Sequence, residues 1–169
     1  MRLIIGGDHR GRELCRKLER QLSGDNRFDV EHVEGTSEDV DYPDVAEWVA
    51  SAISGGTADF GILVCGTGIG MCIVANKFPG VRAAPCHSEL MAEMSRRHND
   101  ANILCLSSDL HGERSSFRIV EKWLQTPFDG GRHEQRLEKI REIELAASAF
   151  DAITPNGHAC FVGPAQLRH

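Results

Sequence analysis

The sequence predicts an α/β fold: a Rossmann-like three-layer sandwich with a five-stranded, mainly parallel sheet between helical layers. Three observations point there. Short apolar runs alternate about five times with segments of helical period. Two of those runs, Phe60 to Val64 and Asn102 to Leu106, are almost continuously apolar, as parallel strands buried on both faces are. A chain of 169 residues with 41% hydrophobic and 26% charged residues suits one domain with a sizeable core.

Each element has a local cause. Arg2 to Ile5 is a short strand that runs into Gly6-Gly7-Asp8-His9. Leu14, Leu18 and Leu22, four apart, form a helical stripe over residues 10 to 22. Phe28 to Val33 alternates as a half-covered or edge strand does. Pro43 suits the first turn of a helix bearing Val45, Trp48, Val49, Ala52 and Ile53, which Gly55-Gly56 ends. After the Phe60 run comes a glycine-rich turn and a helix through Ala75 and Asn76. Val81 to Ala84 is a weaker strand, with Pro85 where a ladder bond cannot form. Residues 88 to 97 read as helix and Asn102 to Leu106 as the last strand. Phe117, Val120, Trp123 and Leu124 mark a helix that Pro127 closes, and residues 132 to 148 a charged final helix with Leu137, Ile140, Ile143 and Ala147 facing inward. From Phe150 to His169 no periodicity remains, and an extended surface segment or a partly disordered one is expected.

Charge and cysteines narrow the function classes. Lys and Arg number 19 against 25 Asp and Glu, a formal charge of −6, which argues against an electrostatic nucleic-acid binder. No stretch approaches the roughly 18 apolar residues of a membrane span, and the start is too polar for a secretory segment, so a cytoplasmic protein is expected. Cys15, Cys65, Cys72, Cys86, Cys105 and Cys160 form no C-x-x-C pair, and no histidine pair has zinc-finger spacing. Most of these cysteines sit in apolar runs and read as packing residues.

In open parallel sheets ligands bind beyond the carboxyl ends of strands. Asp8-His9, Cys65 to Gly70, and Ser107 to Gly112 fall at such ends and are expected to converge. Cys65-Gly66-Thr67-Gly68-Ile69-Gly70 is a strand end, a glycine turn and a helix start. Its amides can cradle a phosphate or an enolate-like oxyanion, or the glycines can serve tight packing alone. The spacing is not that of a dinucleotide fingerprint, and no Walker lysine is present. Cys65 is either a buried structural thiol or a base or nucleophile, activated by a helix start or a nearby cation. His98, before Asn99-Asp100, is either a turn residue or a proton carrier for an oxygen. Arg132 and Arg136, four apart after Gly130-Gly131, are a solvated face or, aimed at the glycine turn, a phosphate clamp.

With these residues named, the chain resembles the ribose-5-phosphate isomerase B family, which includes galactose- and allose-6-phosphate isomerases. The matching stretches are Gly7-Asp-His-Arg-Gly11, Asp41-Tyr-Pro-Asp44, Cys65 to Met71, Ala75-Asn-Lys77, Pro79 to Ala84, His98 to Asn102 and Thr126 to His133. The resemblance implies a homodimer, sometimes paired into tetramers, with active sites built by both subunits. It implies conversion of D-ribose 5-phosphate to D-ribulose 5-phosphate through an enediolate, with no cofactor and no metal. Cys65 would be the base, in the branch that carries Met71 where others carry a glutamate. Thr67 would support that thiol or the substrate hydroxyls, and His98 would open the furanose ring. Asp8 and Tyr42 would lie along the sugar. The amides of Gly66, Gly68, Ile69 and Gly70, with Asn99, would hold the enediolate oxygen, and His9, Arg132 and Arg136 the phosphate.

The chain departs from the family pattern at Arg10, where a small residue is common, at Pro85, and at Asp109, where many members carry an arginine that reaches a phosphate. Residues 1–148 are expected to form the isomerase domain and 149–169 a C-terminal extension. The partners implied are a sugar phosphate and a second copy of the chain, with no nucleic acid and no membrane. Two alternatives are a hexose 6-phosphate isomerase and a catalytically silent sugar-phosphate- or nucleotide-binding module.

Overall fold

A computed structural model describes residues 1–33 and 40–153. Strands β1 (Arg2–Gly7), β2 (Asp29–Val33), β3 (Phe60–Cys65), β4 (Ala83–Pro85) and β5 (Ile103–Ser107) form one sheet in the order β2-β1-β3-β5-β4, and every pairing is parallel. The helices are α1 (Arg12–Leu22), α2 (Tyr42–Ser54), α3 (Ile69–Ala75), α4 (Glu89–Asn99), α5 (Glu113–Gln125) and α6 (Arg132–Ile153).

Strand side chains alternate between two cores. Leu3, Ile5, Ile62, Val64, Leu104 and Leu106 pack on one face with Leu14 and Leu18 of α1 and Ile119 and Trp123 of α5. Ile4, Leu63, Cys65, Ile103 and Cys105 pack on the other with Val45 and Val49 of α2 and Met71 and Ala75 of α3. The continuous apolar runs of β3 and β5 thus serve both faces at once.

The weak fourth strand begins two residues later than its apolar pattern suggests. Val81 is drawn into the second core, and the Asn102 side chain takes the Arg82 N–H at 2.7 Å, so no strand ladder is needed there. Pro85 lies on the sheet edge opposite Cys105. The chain divides into two compact units, Met1–His133 and a second beginning at Glu134. In the second, α6 runs to Ile153, past the point where an extended tail is expected; the first strong helix breaker in the sequence is Pro155. Residues 154–169, the rest of that expected tail, lie outside the described residues. The stripe expected to face inward is not buried: Ile140 and Ile143 are exposed and Leu137 and Ala147 half-buried. Charges at Arg136, Glu138, Lys139, Arg141, Glu142 and Glu144 surround it and leave the apolar stripe narrow.

Two close approaches fix the carboxyl edge of the sheet. A Cβ on Gly11 would overlap the Val64 carbonyl, and one on Gly68 would meet the Leu106 carbonyl at 3.0 Å. Gly11→Ala is expected to cost about 1–3 kcal/mol in urea unfolding, because a backbone carbonyl must move. Gly112→Ala, where a Cβ meets open space, is the control and should stay within about 0.5 kcal/mol.

Candidate active site in two halves

β1 sits between β2 and β3, so the chain order reverses there, and beyond such a point doubly wound sheets bind ligands. Gly7 pairs in register with Val64, and Cys65 with Ser107. The loops after β1, β3 and β5 therefore emerge side by side, as their sequence positions predict.

Asp8 is buried, and its Oδ1 accepts the backbone N–H groups of Arg10 and Gly11, both at 3.0 Å. This local turn closes the loop onto itself and keeps the carboxylate at the sheet end. His9, next to it, is exposed. Cys65 is buried at the end of β3, and its Sγ accepts the Gly68 N–H at 3.1 Å. That bond needs the left-handed backbone of Gly68, φ +77°, which turns the amide back toward the sulfur. Thr67 is exposed, its Oγ1 accepting the Ile69 N–H at 3.3 Å, and Ile69 is exposed as well. The Tyr42 ring lies so close to Gly70 that a Cβ there would stand 2.7 Å from Cε2. Met71 is fully buried in the core beside Cys65, a place that would strip a carboxylate of water.

The β5 loop holds this turn from the other side. The Ser107 hydroxyl donates to the Gly66 carbonyl at 2.6 Å, and the Ser108 N–H donates to the Cys65 carbonyl at 2.9 Å. Arg10 and Asp109 form an ion pair, Nη2 to Oδ2, at 2.6 Å. A little further on, His87, just after β4, meets His111 at 3.2 Å between Nδ1 and Nε2.

His98, Asn99 and Arg132 lie at the opposite edge. Asn99 ends α4 just before β5 starts at Ile103, whereas Cys65 stands level with Ser107 at the far end of that strand. The four-residue rise of β5 between them is roughly 13 Å. The His98 ring stacks on that of His133, centroids 4.2 Å apart and planes 6° from parallel. The Arg132 Nε donates to His133 Nε2 at 3.5 Å, and Arg136 follows a turn later in the second unit. Ligand atoms of His98, Asp129 and His133 lie within 4.8 Å of one another. Nitrogen lone pairs lie in the ring planes, so two parallel rings do not aim at one ion as they stand. Asp129 instead pairs with Arg97, Nε to Oδ2, at 3.1 Å, which together with the two histidines holds its carboxyl below the usual range.

The turn bearing His98 is anchored by Arg96, a buried guanidinium that donates to Asp100 at 2.8 Å and to the Ala101 carbonyl at 2.7 Å. It also lies over the Phe60 ring at 4.7 Å and near that of Trp123 at 5.6 Å. The site residues expected from the sequence thus fall into two groups at opposite ends of the strands. Asp8, His9, Tyr42 and the Cys65–Gly70 turn lie in the first group, and His98, Asn99 and Arg132 in the second. His133, directly after Arg132 at a helix start, joins the second group through its stacking on His98.

A doubly wound α/β protein with a thiol-bearing glycine turn at its switch point is the class these features define. The model of the ribose/galactose isomerase family matches residues 3–140, and the chain belongs to that family. It is 41% identical over 143 residues to ribose-5-phosphate isomerase B of Escherichia coli, covering 85% of this chain and 96% of that one. The structure of the Clostridium thermocellum ribose-5-phosphate isomerase B superposes with a TM-score of 0.83 at 44% identity, covering 87% of this chain and 99% of that one. That of the Mycoplasma genitalium enzyme, solved with bound ribulose-5-phosphate, gives 0.81 at 39% identity, covering 85% and 96%.

Burial, then the neighbouring His87, hold the His111 pKa below that of free histidine. As pH falls through about 6.5 the unfolded chain takes up that proton first, so the fold loses stability on acidification. NMR titration should place His111 below free histidine. Chemical denaturation should show the acid loss reduced in His111→Gln.

Proposed function

We propose that this chain is an aldose–ketose isomerase that interconverts D-ribose 5-phosphate and D-ribulose 5-phosphate. The observation that carries the reading is the Cys65 thiol, held by the Gly68 amide at the sheet's switch point beside Asp8, in a chain of this family. Cys65 takes the proton from C2 of the open-chain aldose, leaving an enediolate, and returns it at C1 while the hydroxyl proton passes from O2 to O1. Thr67 supports the thiol or the substrate hydroxyls. His98 moves the proton that opens the furanose ring. Asp8 and Tyr42 lie along the sugar, and the Gly66, Gly68, Ile69 and Gly70 amides with Asn99 stabilise the enediolate oxygen. His9, Arg132 and Arg136 hold the phosphate. The reaction takes place in the cytoplasm and serves pentose-phosphate interconversion, with residues 1–148 as the isomerase domain.

The working site is shared by two copies of the chain. Support comes from the placement of Cys65 and His98 at opposite sheet edges, so that one copy's thiol needs another copy's histidine. Ile69 and Ile73, four apart on α3 and 52% and 58% exposed, give apolar surface next to the glycine turn for such a contact. Among the described residues no helix is long and apolar enough to cross a membrane.

Cys65→Ala should lower turnover of ribose 5-phosphate about a hundredfold or more in a coupled ribulose assay, and full turnover would remove Cys65 as the base. Relative kcat/KM for ribose, allose and galactose phosphates decides between pentose and hexose. Coexpressing Cys65→Ala with His98→Ala should restore activity to roughly a quarter of the sites, since mixed dimers keep one intact pairing. No restoration beside an active parent would place both residues' work in one chain.

A further inference from the structure

The Arg10–Asp109 ion pair lies against the glycine turn. A Cβ on Gly66 would meet Asp109 Oδ2 at 3.1 Å and Arg10 Cδ and Nε at 3.3 Å. The pair therefore covers the segment that follows the thiol, and Arg10 directly follows Asp8-His9. We propose that Arg10 is a ligand of the substrate's phosphate, held in reserve by Asp109 and released to the phosphate when it arrives. The proposal rests on the isomerase reading above.

The two partners differ in freedom. The Asp109 N–H donates to the Gly66 carbonyl and to the Ser107 hydroxyl, each at 3.2 Å, so the carboxylate rides on a loop tied to the turn. The Arg10 side chain is 55% exposed and borders a cavity of about 190 Å³ shared with Lys17, Ser108 and His111, which gives the guanidinium room to swing. Lys17 does not compete for the same anion, since Glu113 holds it at 2.7 Å and Glu13 at 3.4 Å.

The exchange is energetically downhill. An exposed guanidinium–carboxylate pair contributes little in water. A phosphate dianion offers two negative charges and a bidentate match to the guanidinium fork. Asp109 thus works as a positioning residue that weakens phosphate capture, by keeping Arg10 occupied.

The test compares the parent, Asp109→Asn, Arg10→Met and the double variant, reading KM for ribose 5-phosphate and the inhibition constant of inorganic phosphate. Asp109→Asn should lower both by about two- to fivefold, with the change in KM rather than kcat. Arg10→Met should raise both, and in its presence Asp109→Asn should have little effect. If the gain from Asp109→Asn persists undiminished without Arg10, Asp109 acts by direct repulsion and the proposal fails. It fails equally if Asp109→Asn leaves both constants unchanged or raises them. A parent that does not turn over ribose 5-phosphate defeats the isomerase reading instead, and calorimetry with inorganic phosphate on the same four proteins still reads the Arg10 exchange.

Discussion

Backbone contact at the carboxyl edge of the sheet is the constraint on which the chemistry depends. Gly11 presses on the Val64 carbonyl at a distance no side chain tolerates, and Gly68, in the left-handed region at φ +77°, lies tight against that of Leu106. Because these approaches are bare, the loop after β1 can lie against β3, and the turn after β3 against β5. Within these loops Asp8 accepts the amides of its own turn, and the Gly68 amide holds the Cys65 sulfur. The Ser107 hydroxyl closes the arrangement from the third loop. Main-chain contacts and two short side chains, those of Asp8 and Ser107, thus place a carboxylate, a thiol and a row of amides.

The amino edge solves the same problem by another route. A left-handed residue, Asp100 at φ 44°, ends α4, and its carboxylate takes both Arg82 and Arg96. Taking Arg96 out of water is costly, and the ion pair, the Ala101 carbonyl and two aromatic rings offset that cost. The T-shaped Phe60–Trp123 pair, 5.2 Å between centroids, ties this anchor to β3 and α5. His98 is held by charge and aromatic stacking where Cys65 is held by glycine.

Much of this was legible in the chain. The strands of both cores announce themselves by apolar runs, and the helices by stripes such as Leu14, Leu18 and Leu22. The convergence of Asp8, Cys65 and Ser107 followed from strand ends alone. Chain order also held the separation of His98 from Cys65, since a residue between a helix and the start of a parallel strand must lie at the strand's amino end. Pairings between distant residues were not legible. Arg10 with Asp109, His98 with His133, and Arg96 among aromatic rings each join residues whose types are ordinary at a surface, and only the packed fold brings them together. The α6 stripe misled for a related reason, because periodicity shows which side chains share a face and not whether anything covers it.

The rims of the sheet limit how copies of this protein can meet. β4 is only three residues long and ends on Pro85, which has no N–H to offer a further strand. β2, at the other rim, points Asp29 and Glu31 to solvent, and carboxylates along a rim repel a like strand. Both rims therefore resist growth of the sheet from molecule to molecule, the route by which flat β surfaces run on into fibres. Association is left to helices and loops, where contact geometry can close on itself and stop.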